Sequence, residues 1–127
     1  MAGHAFAVVS VNIDDVEEKL ASELKLTPMQ ARIFVLIVKG GKKSAAKIAE
    51  ELDIPNPEAL DVAKSLVDRG GFIEIARDEF ESTHPRFAVV NMYRRMYLRD
   101  NIPFKKNLLV DNISIILESP YDDARTK

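Results

Sequence analysis

The stretch LTPMQARIFVLIVKGG, residues 26–41, decides how the rest of this sequence is interpreted. Thr27 can cap a helix, Pro28 suits the first helical position, and Gln30 completes a capping box with the threonine. Apolar residues then recur at helical spacing until the pair Gly40-Gly41, which is typical of a helix end. The stretch therefore predicts a helix with well-defined ends and one buried side.

Two further helices are predicted after this one. Ser44 can cap the first of them, and the alanines that follow allow close approach to a neighbouring helix. After a proline-containing turn at residues 53–55, Asn56 is expected to cap the next helix, with Pro57 at its first position. The pair Gly70-Gly71 ends that helix. Three helices are thus separated by turns of only a few residues.

Two short β-prone runs come next, at residues 72–76 and 86–90, and the polar segment 77–85 between them predicts a turn. Three helices followed by a two-stranded ribbon are the plan of a winged helix-turn-helix domain. We therefore predict a mainly α fold with a small β-hairpin wing, in which additional N- and C-terminal elements flank the winged helix-turn-helix.

The flanking segments predict further helices. Residues 13–24 carry apolar side chains at helical spacing, with acids in the first turn that complement the helix dipole. Asn91 can cap a helix that ends near residue 100, and a last amphipathic helix is expected to end near Pro120. The predicted organisation is an N-terminal arm at 1–12, a winged helix-turn-helix domain with its flanking helix at 13–101, a C-terminal amphipathic helix at 102–120 and a frayed tail at 121–127.

The composition argues against several classes of protein. The 127 residues contain no cysteine, and His4 and His84 lack the spacing of metal ligands, so neither a metal nor another cofactor is expected. Phosphate loops and nucleophile motifs are missing, so we do not expect an enzyme. The apolar residues 5–11 are too few to span a membrane, so we expect a cytoplasmic protein with no membrane partner.

Basic charge is concentrated after the predicted wing. The net charge is −2, yet residues 84–106 carry six basic residues and one acidic residue. Within them Arg94, Arg95 and Arg99 alternate with Tyr93 and Tyr97, which could grip a nucleic-acid backbone or stack a base. An amphipathic helix with inward tyrosines and solvated arginines explains the same spacing, and we favour this interpretation.

Five segments together resemble the archaeal TrmB-like transcription regulators. They are LTPMQARIF at 26–34, SAAKIAEE at 44–51, Ile54-Pro55, SLVDRG at 65–70 and PRFAVV at 85–90. Their order and spacing extend the resemblance over residues 16–101, and the MarR-like regulators, which share the plan, are close competitors. The resemblance implies binding of duplex DNA by the helix that follows Ile54-Pro55.

Several residues are candidates for contact with DNA. The lysines near Ser44 flank a helix N-terminus, where free N–H groups and the helix dipole favour phosphate; keeping the surface soluble explains them equally well. Asn56 could bond to adenine, although capping is its commoner role. Relatives often carry basic residues at this point, whereas Glu58 and Asp61 are acidic here. The DNA-contact candidates are Lys42, Lys43, Ser44, Lys47, Asn56, Pro57, Leu60, Lys64, Arg77 and Arg86.

The last helix suggests how two copies could assemble. A lone helix of its length is marginal in water, so its apolar stripe must pack on something. We predict a homodimer joined through Leu109, Ile113, Ile116 and Leu117, with the arm at residues 5–11 as a further contact. The alternative function is a winged-helix module that contacts proteins of the transcription or replication apparatus through Leu60, the acidic helix and Phe80, with little or no DNA binding.

Overall fold

The computed structural model of the protein describes residues 15–101, 103 and 105–126. The predicted fold class is confirmed, because these residues form a mainly helical fold with a small sheet and additional helices at both ends. The elements in chain order are α1 Val16–Leu24, α2 Pro28–Gly40, β1 Lys43–Ser44, α3 Ala45–Leu52, α4 Asn56–Arg69, β2 Phe72–Ala76, β3 Glu79–Ser82, α5 Pro85–Asp100 and α6 Leu108–Arg125. The predicted arm at 1–12, together with Ile13, lies outside the described residues.

Local side-chain hydrogen bonds explain the starts of α2 and α3. The backbone N–H of Thr27 donates to Gln30 Oε1 at 2.8 Å, and the N–H of Gln30 donates to Thr27 Oγ1 at 3.1 Å, so the capping box is confirmed. Ser44 caps α3 by accepting a hydrogen bond from the N–H of Lys47 at 3.1 Å.

The predicted cap of α4 is wrong. The helix begins at Asn56 itself, Pro55 occupies the cap position, and no side chain caps it. The cause is local, since the carbonyl of Pro55 already accepts the first helical bond, from the N–H of Ala59 at 3.1 Å. Pro57 therefore sits at the second helical position, where its missing N–H costs nothing.

The sheet has three antiparallel strands in the order β1-β3-β2. Phe72 of β2 lies opposite Ser82 of β3, and the register shifts by a bulge between Glu74 and Ala76. The two-residue strand β1 was not predicted, because it exists only through pairing with β3, where Lys43 lies opposite Phe80. This pairing ties the start of α3 to the wing.

The prediction of a wing strand at residues 86–90 is wrong, because these residues lie in α5. His84 takes the cap position, and its Nδ1 accepts a hydrogen bond from the N–H of Arg86 at 3.2 Å. Pro85 occupies the first helical position, which suits its fixed backbone angle. The second strand of the wing is instead Glu79–Ser82, inside the segment predicted to be a turn.

The helix that was predicted to start at Asn91 thus begins two turns earlier. Ala88, Val89 and Met92 are buried and continue one apolar face along α5. Asn91 is inside the helix rather than at its cap, and its side-chain amide donates to the carbonyl of Gly70 at 3.2 Å. This bond fixes α5 against the end of α4.

An aromatic row joins the helices to the sheet. The rings of Phe34 in α2 and Phe72 in β2 stack with centroids 5.8 Å apart, and Phe72 lies 6.5 Å from Phe80 in β3. All three side chains are almost completely buried. Aromatic pairs at this separation add to the stabilisation from area burial, so this row forms the centre of the winged domain.

The C-terminal helix belongs to the same core. Ile113 and Leu117 are fully buried within one chain, where α6 packs against α1, α2 and α5. The helix also continues through Pro120 to Arg125, so the predicted end at Pro120 and the predicted frayed tail are both wrong. Tertiary contacts made by Tyr121 and Arg125 outweigh the hydrogen bond that the proline removes.

Candidate nucleic-acid interface

The lysines near the start of α3 are partly engaged with acids. Lys43 Nζ lies 2.9 Å from the carboxylate of Glu51, and Lys47 Nζ lies 3.2 Å from that of Glu50. The Lys43 side chain is only 13% exposed, whereas Lys42 is exposed and has no ion pair within the described residues. Of the three, Lys42 is therefore the lysine most available to a phosphate.

The start of α3 and the tip of the wing form one continuous surface. The backbone N–H of Ala45 donates to the carbonyl of Asp78 at 2.8 Å, which holds the lysine segment beside the wing turn. Arg77 is exposed at that turn. Asp78 has a positive φ of 59°, and its N–H donates to Glu74 Oε2 at 2.8 Å. The predicted contacts Lys42, Lys43, Ser44, Lys47 and Arg77 are thus brought together.

Arg86 does not join this group. It lies in the first turn of α5, beyond the end of β3 that is opposite to the wing tip. Its Nη1 is 3.8 Å from the carboxylate of Glu118 in α6. The sequence prediction placed Arg86 on the wing because residues 86–90 were interpreted as a strand.

The outward face of α4 carries more acid than base. Ala59, Ala63 and Leu66 form the buried side, and Leu60, predicted to face outward, is half-buried against the core. The exposed side chains of this helix include Asn56, Pro57, Glu58, Asp61, Lys64 and Asp68. Within the described part of the chain these give three acids against one base, so the face repels phosphate unless other groups compensate.

Lys64 is the one base of that face, and it also has an acidic neighbour. Its Nζ lies 3.9 Å from the carboxylate of Glu74 in β2, across the junction of helix and wing. An exposed pair at this distance contributes little to stability. A phosphate could therefore compete with Glu74 for this lysine at small cost.

Positive charge gathers at the other end of α4. Arg95 Nη1 donates to the carbonyl of Asp68 at 2.9 Å. Burial, and secondly the positive charge of Arg99, lower the pKa of Arg69. These arginines surround the C-terminal end of the helix, where cations complement the helix dipole.

The tyrosines of α5 point inward, as the favoured interpretation predicted. Tyr93 is 3% exposed and its hydroxyl donates to the carbonyl of Lys105 at 2.8 Å. The hydroxyls of Tyr93 and Tyr97 are 2.9 Å apart. Burial first, and the hydrogen bond with Tyr97 second, raise the pKa of Tyr93 to about 12. These rings are therefore packed and are not offered to a base.

A groove lined by Arg86, Phe87, Arg94 and Arg95 was missed by the sequence analysis. The sequence does contain a signal for the helix that forms it, since His84 and Pro85 are suited to the cap and the first position of a helix. Once the helix starts there, Phe87, Val90 and Arg94 follow one another at spacings of three and four residues and therefore share one face.

A sequence model of the family described as "Sugar-specific transcriptional regulator TrmB" matches residues 20–95. The chain belongs to the TrmB family. The match begins inside α1 and ends inside α5, so it includes the three helices and the wing described above, and it confirms the resemblance. No match was found among curated proteins or among solved structures.

The described residues offer neither a candidate metal site nor a candidate membrane-spanning helix. They contain no group of three or more His, Asp or Glu side chains placed to hold a metal ion. Among their helices, none combines the length and the apolar character that crossing a membrane requires.

Proposed function

We propose that this TrmB-family chain is a transcription regulator that binds duplex DNA through its winged helix. The observation that carries the proposal is the family match over residues 20–95, which includes both the helix-turn-helix and the wing. In this arrangement α4 enters the major groove with its N-terminal half, from Asn56 to Lys64. The surface at the start of α3 and at Arg77 then lies over the adjacent phosphates.

Phosphate contacts dominate the affinity in this proposal. The outward face of α4 is acidic, so it cannot supply the attraction, and the lysines at the start of α3 must do so. Lys43 and Lys47 would exchange Glu51 and Glu50 for phosphate oxygens, which limits the gain at each lysine. The expected result is weak binding whose affinity falls steeply with salt, because released counterions drive it.

Two copies would bind together, through the outward face of α6. Ile113 and Leu117 are occupied within the chain, but Leu108 and Ile115 are 61% and 50% exposed one heptad apart. Leu109 and Ile116 are partly buried beside them. Paired reading of DNA requires that a two-fold contact on this stripe set two α4 helices about one DNA turn, or roughly 34 Å, apart.

A titration of random duplex DNA at two salt concentrations tests this function. Replacing Lys42, Lys43 and Lys47 by alanine together should weaken binding and flatten the dependence on salt. The matched control replaces three lysines away from α3, Lys19, Lys105 and Lys106, and should leave most of the salt dependence intact. Equal losses in the two triple variants would contradict the assignment of the α3 surface.

The acidic face of α4 favours a second candidate function, contact with a basic surface of another protein. Glu58, Asp61 and Asp68 would provide this contact, with half-buried Leu60 at its edge. Phe80, which the sequence analysis assigned to such a surface, is fully buried and cannot take part. A folded protein that binds no duplex DNA at low salt would favour this candidate over the first.

A further inference from the structure

A groove of about 790 Å³ lies between the end of α4, strand β2 and the first turns of α5. Two large apolar side chains stand at its surface, Ile73 at 47% and Phe87 at 73% exposure, with Val67 and Val90 beside them. Large exposed apolar side chains that adjoin one another are uncommon on the surface of soluble proteins, and such patches often mark binding sites. The volume falls within the range of small-molecule sites.

The charge of the groove has a single sign. Three arginines line it, Arg86, Arg94 and Arg95, and we call them the arginine rim. No aspartate or glutamate is present among the described residues that line it, although Glu118 approaches Arg86 from α6. Arginine presents a planar fork of N–H donors that matches a carboxylate in two parallel bonds. The groove therefore combines an apolar floor with a site for an anion.

The position of Arg95 in the rim is fixed by the end of α4. Gly70 has a φ of +93°, and a Cβ there would lie 2.7 Å from Asn91 Nδ2 and 3.0 Å from Arg95 Nε. The glycine thus allows α5 to approach closely, and Arg95 is held by its bond to the carbonyl of Asp68. Because Arg95 is already held, it loses less conformational entropy than a free side chain would when a ligand binds.

We propose that this groove binds a small amphipathic anion, with its apolar part on Ile73 and Phe87 and its carboxylate at the arginine rim. Nucleic-acid backbone would satisfy the rim but leave the apolar floor without a partner. A second copy of the chain related by a two-fold axis at the groove would bring the two arginine rims together, and like charges would oppose that contact. A carboxylate on an apolar tail satisfies both features.

A ligand in this groove would also contact α4, the helix that is proposed to enter the major groove of DNA. Val67 and Gly70, which line the groove, are the last turn and the C-cap of α4. A bound anion would thus bias the position of α4 relative to the wing. This coupling rests on the proposed function, whereas binding of the anion does not and is measured without DNA.

The test is a calorimetric titration with decanoate, supported by backbone amide shifts of the isotopically labelled protein. We expect one site per chain, with the largest amide shifts at the groove residues and in the adjoining last turn of α4. Phe87→Ala should weaken binding about tenfold because a phenyl contact is lost. Arg94→Ala should weaken it by a similar factor because a charge-assisted bond is lost. The matched controls Leu98→Ala and Arg32→Ala, which change exposed side chains outside the groove, should bind as the native chain does.

Decylamine, with the same tail and the opposite charge, should not bind. Equal binding of decanoate and decylamine would overturn the proposal, since the arginine rim would then not distinguish an anion from a cation. Absence of decanoate binding, together with binding of an acidic amphipathic peptide, would assign the groove to a protein partner instead. A native dimer that Phe87→Ala converts to monomers would assign it to a second copy and would also overturn the proposal.

Discussion

Arg125 joins three elements that are far apart in the sequence. Its guanidinium donates to the carbonyls of Val38 at 2.9 Å and Ile37 at 3.1 Å, and it pairs with the carboxylate of Glu81 in β3. The group also lies 3.6 Å over the ring of Tyr121. One side chain near the end of the chain therefore satisfies the C-terminal carbonyls of α2 and anchors the wing.

Replacing this arginine should destabilise the whole domain. Arg125→Ala removes several charge-assisted hydrogen bonds and leaves Glu81, which is 21% exposed, without its cation. We expect a loss of about 2–3 kcal/mol in the free energy of unfolding, measured by urea denaturation. Arg77→Ala, at the exposed wing tip, is the control and should change stability by less than about 0.5 kcal/mol. A loss as small as the control's would show that the anchor is not needed.

Tyr93 gives a prediction at alkaline pH. Its folded pKa of about 12 lies above the ordinary value of about 10, so the neutral form is favoured by folding. The stability it contributes is fully present below about pH 10 and is lost as the pH rises through about 12. Spectrophotometric titration should resolve one late tyrosinate, which Tyr93→Phe abolishes. A late phase that persists in this variant would contradict the assignment.

Among the elements, those with local signals could be predicted and those with distant partners could not. The capping box of Thr27 and Gln30, and the glycine ends of α2 and α4, are visible in adjacent residues and were confirmed. Strand β1 depends on β3, more than thirty residues away, so no local pattern could indicate it.

The wing shows how a local pattern can mislead. Residues 86–90 contain β-branched and aromatic side chains, and their preference for strands is outweighed by burial of Ala88 and Val89 against the helical core. Because residues 86–90 were predicted to be a strand, the groove was not predicted and Arg86 was placed on the wing. That the segments around Ser44 and Arg77 lie together could be anticipated, because this needs only the start of α3 and a turn, and their contact with DNA stays a prediction.

The acidic face of α4 can be tested as a unit. Glu58→Arg replaces repulsion by attraction at an exposed position on the helix proposed to enter DNA. We expect non-specific binding at low salt to strengthen about fivefold. Glu18→Arg on α1, also exposed, changes the net charge equally and serves as the control. The same small gain in the two variants would mean that α4 does not face the DNA.

For the molecule as a whole, the packing of the C-terminal helix determines which of its apolar residues remain available to a second copy. The sequence pattern predicts that Leu109, Ile113, Ile116 and Leu117 all contact a second copy. The structure divides that stripe instead, with Ile113 and Leu117 completing the core. Aspartate at Ile113 would therefore unfold the chain and could not report on a dimer.

The remaining outward stripe of α6 gives a cleaner test of assembly. Leu108→Asp combined with Ile115→Asp places two charges on side chains that are 61% and 50% exposed, so the fold should survive. If two copies meet there, each buries those residues against its partner, and the double variant should sediment as a folded monomer while the native chain sediments as a dimer. Leu98→Asp, on a 73% exposed residue of α5, is the control and should leave the dimer intact. A native chain that is already monomeric at micromolar concentration would end the dimer proposal. DNA reading by two α4 helices one turn apart would then fail with it, because that spacing requires the two-fold axis.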